Sequence, residues 1–150
     1  MGKSKKVVQK ERVEGKKLPI AIENPNSYYG KAPIWSFRNL DNGYKKWGFI
    51  HVENLNDVVI SKLKNYEGMT WAEIMNASGG RSHGNNSHFE NVSALIPEAQ
   101  QRWNELKLDE YDNIFSLRLT GEKRLYGILE NGVFRIVWFD PKHEIYSVKK

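Results

Sequence analysis

Arg118, Arg124, Tyr126 and Arg135 lie in one short stretch near the C-terminal end of the chain. Guanidinium groups present forked donors matched to phosphate and keep their charge, so three of them beside a phenol suit recognition of a phosphodiester, provided that they share a face. The same residues could equally be the solvent side of a one-sided sheet. A second set is His83 and His88, which flank Gly84, Asn85 and Asn86. Two histidines in such a segment could be an acid/base pair on a loop over a site, or simply polar residues of a solvated loop. A metal site needs three or four ligands at fixed geometry. The two loop histidines, with His51 and His143 far off in sequence, do not supply that set, and the chain has no cysteine. No metal or other cofactor is therefore expected.

The elements that must position these groups are best marked at the C-terminal end. Asn131-Gly132 is a type I′ hairpin signal, because both central residues of that turn need positive φ. Closing it pairs Glu130 with Val133, Leu129 with Phe134, Ile128 with Arg135 and Gly127 with Ile136. The same register pairs Tyr126 with Val137, Leu125 with Trp138 and Arg124 with Phe139. Strand residues alternate faces and cross-strand partners share one. Leu125, Leu129, Phe134, Ile136 and Trp138 then form a core face, joined by Phe115, Leu117 and Leu119 of the preceding strand. Arg118, Arg124, Tyr126 and Arg135 stand together on the other. Asp140-Pro141 stops the last strand and turns the chain.

Upstream, Trp35, Phe37, Tyr44, Trp47 and Phe49 surround an Asp41-Asn42-Gly43 turn signal, which predicts two short strands or a hairpin. From Asn56 the spacing of Val59, Leu63 and Tyr66 is helical, and Gly68 ends that helix. Thr70 with Glu73 makes a capping box for a short helix, Trp71 to Asn76. The Gly-, Ser- and Asn-rich stretch from Ser78 to His88 predicts a loop, and a third helix starts at about Pro97 and includes Ala99, Trp103 and Leu106. Leu18 to about Pro33 predicts an irregular segment that wraps the domain.

The net charge of +5 resides in the first 17 residues, with seven basic and two acidic groups; the rest is balanced. Residues 1–17 are expected to be a disordered basic tail able to attract phosphate without reading sequence. Residues 18–150 are expected to form one domain. No apolar run reaches the roughly 20 residues of a membrane helix, and the N-terminus lacks a secretory apolar stretch. A cytoplasmic protein without membrane contact is the expectation.

The run Ser116-Leu-Arg-Leu-Thr-Gly-Glu-Lys-Arg-Leu-Tyr126, followed by a hairpin and an apolar strand ending near His143 and Tyr146, resembles the C-terminal half of the RelE/YoeB family of ribonuclease toxins. The likeness spans about residues 90–148. Glu144 and Ile145 separate His143 from Tyr146, which are adjacent in that family, and its catalytic glutamate has three candidate matches in Glu105, Asp109 and Glu110. The resemblance implies metal-independent RNA cleavage by attack of a 2′-hydroxyl on the adjacent phosphate, leaving a cyclic phosphate. It implies phosphate-binding roles for Arg118 and Arg124, and leaving-group acid and base-stacking roles for His143 and Tyr146. Tyr126, Arg135, His83 and His88 are the further candidate RNA contacts. The partners implied are RNA, ribosome-bound mRNA included, and an antitoxin protein. The expected fold is α+β: about three helices on one face of a mainly antiparallel sheet of four to six strands, ending in a β-meander. Two other functions fit the residues: a non-catalytic RNA- or protein-binding protein of phage or mobile-element type, and a metal-dependent nuclease built on the loop histidines.

Overall fold

The computed structural model describes residues 27–77 and 87–146. The basic tail, most of the 18–33 segment and the greater part of the 78–88 loop, with His83, lie outside the described residues. Among the described residues the architecture is α+β: an open mixed sheet of five strands with three short α-helices. The strands are β1 (Ile34–Ser36), β2 (His88–Asn91), β3 (Asn113–Arg118), β4 (Arg124–Glu130) and β5 (Val133–Asp140). They lie in the order β1-β5-β4-β3-β2, with β1 parallel to β5 and every other pair antiparallel. The helices are α1 (Ser61–Tyr66), α2 (Trp71–Asn76) and α3 (Pro97–Glu105). None of the described helices is long and apolar enough to cross a membrane.

Asn131 (φ 52°) and Gly132 (φ 84°) adopt the positive φ that a type I′ turn needs. The ladder runs as predicted through Gly127 and Ile136, and then slips. A β-bulge leaves Val137 extra, so that Tyr126 faces Trp138, Leu125 faces Phe139 and Arg124 faces Asp140. Gly127 permits this, since a Cβ there would lie 2.1 Å from the Arg135 carbonyl oxygen. The slip moves Trp138 from the Leu125 face to the Tyr126 face and corrects the uninterrupted register.

Both faces of the sheet are consequently core. On one, Phe115, Leu117, Leu125, Leu129, Phe134, Ile136 and Phe139 pack with Val59 and Leu63 and with Trp71 and Ile74 of α2. On the other, Ile114, Tyr126, Ile128, Val137 and Trp138 pack with Ala99 and Trp103 of α3, and with Trp47, Leu95 and Ile145. The helices thus cover two faces rather than the one expected. The Arg124–Tyr126 face is not a solvated surface: Arg124 is 2 % and Tyr126 0 % exposed. Trp47 and Trp103 supply the cover, each in contact with the Trp138 ring at 5.1 and 5.7 Å between centroids.

The helices form where local signals put them. Thr70 accepts from the Glu73 amide at 3.2 Å while the Glu73 carboxylate accepts from the Thr70 amide at 2.9 Å, completing the capping box. Trp71 then donates from Nε1 to the Gly132 carbonyl at 2.9 Å, tying α2 to the hairpin turn. A five-residue π-helical turn, Asn56–Ile60, leads into α1. The expected hairpin around Asp41-Asn42-Gly43 is replaced by β1 and an irregular segment. Trp47 enters the second core while Phe49 packs on the first, so this stretch passes between the faces and cannot pair as a strand. Asp41 anchors it, accepting from Arg102 at 2.9 and 2.8 Å and from Trp138 Nε1 at 2.8 Å.

Candidate functional site

The strand register lines up His88, Ser116, Tyr126 and Trp138 across β2 to β5 on one face, with Arg118, Arg124 and Asp140 in the adjoining row. The α3 core fills the part of this face around Ile114, Ile128 and Trp138. The part nearer the 119–123 turn is polar. His88 heads β2, and Glu90, two residues on and therefore on the same face, holds its Nε2 at 2.5 Å.

The chain after β5 folds back onto this region. The buried Asp140 carboxylate accepts from the amides of Lys142 at 3.3 Å and Ile145 at 2.8 Å. Ile145 enters the second core, and its carbonyl accepts from the Ile96 amide at 3.0 Å. His143, at the crest of this turn, takes φ 55°, a left-handed conformation in which histidine is several-fold enriched over most side chains. The turn sets Tyr146 edge-on to His88, with ring centroids 6.3 Å apart.

Charges within the cluster act on one another. Burial, followed by Arg124 and then His88, holds His143 below the usual imidazole value. Burial lowers Arg124 as well, offset in part by the Tyr126 phenol and reinforced by Arg118. Burial is the main cause raising the Tyr126 phenol, and the facing Ser116 hydroxyl offsets part of it. Among the described residues, the Tyr126 hydroxyl and Ser116 Oγ nevertheless lack a hydrogen bond of standard geometry. Asp140 is raised by burial against the opposing pull of the Ile145, Glu144 and Lys142 amides.

Both arginines are held by backbone carbonyls. Arg124 donates from Nη1 to the carbonyls of Thr120 (2.7 Å) and Lys123 (3.3 Å), and Arg118 donates from Nε to Thr120 O (3.1 Å). Among the described residues, neither forms an ion pair with a carboxylate. Arg118 is partly exposed, and its backbone amide is fixed by the buried Ser87 Oγ at 2.9 Å. Tyr66 from α1 donates to the Arg118 carbonyl at 2.6 Å.

Of the residues singled out in the sequence, Arg118, Arg124, Tyr126, His88, His143 and Tyr146 are brought to this region. Arg135 is not: it lies farther along the face and pairs with Glu130 at 2.7 Å and with the Tyr111 hydroxyl at 3.0 Å. His83 lies outside the described residues. Glu105 is exposed and pairs with Arg102 at 3.0 Å, while Asp109 and Glu110 are exposed beyond α3. Glu90 and Asp140 are the additions. The His-Phe-Glu alternation at 88–90 carried the signal for Glu90, but reading it required a strand where the composition predicts a loop. Among the described residues, no group of three or more His, Asp or Glu is arranged to hold a metal ion.

A second concave feature, an open groove of about 620 Å³, is lined by Tyr44, Glu98, Gln101, Arg102 and Glu105. Its arginine is already held by Asp41, and its glutamate Glu98 by Tyr44 and Lys46. Comparison with family models, curated proteins and solved structures gives no match to this chain.

Proposed function

We propose that the protein is a metal-independent endoribonuclease whose site is the polar end of the sheet around Arg118, Arg124, His88, His143 and Tyr146. The observation that carries this reading is the pair of neighbouring guanidinium groups that form no ion pair with a carboxylate among the described residues, beside a histidine whose proton is loosely held. Guanidinium groups held on backbone carbonyls beside an acid/base group suit a phosphodiester, whose transition state gains negative charge. Tyr146 and His88 add aromatic surface on which a base can stack. The likeness of residues 116–126 to the RelE/YoeB toxins supports the same reading, and with it cytoplasmic action as the toxin of a toxin–antitoxin pair.

The test is incubation of purified protein with RNA in EDTA, with and without ribosomes, followed by analysis of the ends. New 2′,3′-cyclic phosphates support the reading, and intact RNA under both conditions overturns it. A second reading is favoured by one observation, the burial of Arg124 on backbone carbonyls, which suits a structural arginine. On that reading the protein binds RNA or a protein partner without cleaving, and retention of uncut RNA is its signature.

A further inference from the structure

Glu90 and His88 form a carboxylate–imidazole pair of the kind that orients a proton-transfer group. From this pair we infer that His88, held by Glu90, donates the proton to the leaving oxygen, while His143 accepts the proton of the attacking hydroxyl. This assignment rests on the ribonuclease reading and goes beyond it, since the toxin resemblance gives the leaving-group role to His143 and none to Glu90.

Three observations separate the two histidines. The Glu90 carboxylate reaches His88 Nε2 at 2.5 Å, with the Glu90 side chain only 16 % exposed, so the ring has a fixed orientation and a negative partner for an imidazolium. His143 has different surroundings: burial, Arg124 and His88 disfavour its charged form and outweigh the smaller opposing pull of Glu122. It is therefore neutral near pH 7, the state that takes a proton. The two stand on separate supports, His88 on β2 and His143 on the turn pinned by Asp140, yet near enough for His88 to act on the charge of His143.

The step balances without an added reagent. The 2′-hydroxyl gives its proton to His143 as O2′ bonds to phosphorus, the P–O5′ bond breaks, and the leaving O5′ takes the proton of His88. No electron is gained or lost, and the products are a 2′,3′-cyclic phosphate and a 5′-hydroxyl. Substrates must carry the 2′-hydroxyl, so DNA is not cut. Glu90 touches no reacting atom and acts as a positioning residue.

The experiment uses two RNAs of one sequence, with either oxygen or sulfur bridging to the 5′ carbon at the bond the wild type cuts. A thiol of pKa about 8.5 leaves without a proton donor, whereas an alkoxide needs one. His88→Ala and the bulkier His88→Gln should lower cleavage of the oxygen RNA by about 10²–10⁴-fold and leave the sulfur RNA within about tenfold of wild type. Glu90→Gln should lower kcat on the oxygen RNA alone, with KM unchanged. His143→Asn should lower cleavage of both. Equal losses on both RNAs in the His88 variants, at wild-type melting temperature, would overturn the assignment while leaving the ribonuclease reading intact, as would a Glu90→Gln enzyme of unchanged kcat. A wild type that cuts neither RNA removes the ribonuclease reading and this assignment together.

Discussion

Arg124 and Asp140 are cross-strand partners at the end of the β4–β5 ladder, yet each side chain hydrogen-bonds backbone rather than the other. The guanidinium binds carbonyls of the 120–123 turn, and the carboxylate binds amides of the 142–145 turn. Two opposite charges thus organise the two loops that frame the site. Asp140 shapes the turn that carries His143, and Arg124 contributes to the field around it.

Replacing Asp140 by Ala should therefore destabilise the fold by about 1–3 kcal/mol, because the buried Ile145 amide loses its acceptor. Urea unfolding measures this as a lower midpoint at unchanged slope. Cleavage should fall as well, since the His143 turn loses its anchor. An unchanged midpoint would mean that the Ile145–Ile96 contact holds the turn unaided.

The His143 environment predicts a pH dependence of stability. Its folded-state pKa is depressed, so at mildly acidic pH the unfolded chain takes up a proton that the folded chain resists. The contribution is fully present above the ordinary imidazole value of about 6.5 and is lost as pH falls through the folded value. The urea midpoint should decline over that window, and His143→Asn, which tolerates positive φ, should flatten the decline. Equal slopes in the two proteins would place the titrating group elsewhere.

Gly127→Ala should cost about 3 kcal/mol, because the added Cβ would meet the Arg135 carbonyl oxygen, a backbone atom that cannot rotate away. Thermal unfolding checks it. A loss below about 0.5 kcal/mol, the range of an ordinary surface change, would show that the bulge relaxes.

This bulge also marks the limit of what could be read from the sequence. Asn131-Gly132 determines the hairpin and the four pairs nearest it, because turn chemistry acts locally. Beyond Gly127 the alternation fails, since one extra residue reverses every later side chain. The unbroken run Leu125-Tyr126-Gly127-Ile128-Leu129 carries burial on both faces, the usual mark of a covered strand, whereas a one-sided sheet would alternate apolar and polar residues. At the site, Arg118 and Arg124 are marked by residue type and strand alternation, and His143 and Tyr146 by likeness to a motif. Glu90 follows from the alternation of β2 once that segment is known to be a strand, and Asp140 from a backbone turn that leaves no composition signal.

Arg118 provides the cleanest test of function, and the reason lies in its contrast with Arg124. An Arg124→Ala change with unaltered melting is the sequence expectation for a solvated arginine. The structure corrects it: the residue is 2 % exposed and holds two carbonyls, so its loss should cost about 1–3 kcal/mol and confound any loss of cleavage. Arg118 is partly exposed, and its side chain makes one hydrogen bond among the described residues, to Thr120. Arg118→Ala should change stability by no more than about 0.5 kcal/mol, the range of a surface substitution. If its guanidinium meets the phosphate, cleavage should fall by about 10²–10³-fold, as for loss of one transition-state donor. Arg118→Lys should recover only part of that loss, because an ammonium keeps the charge without the fork. Melting temperature and cleavage rate, measured on the same preparations, separate the roles. Full activity in Arg118→Ala would show that its guanidinium does not meet the reacting phosphate and that cleavage is performed elsewhere on the protein.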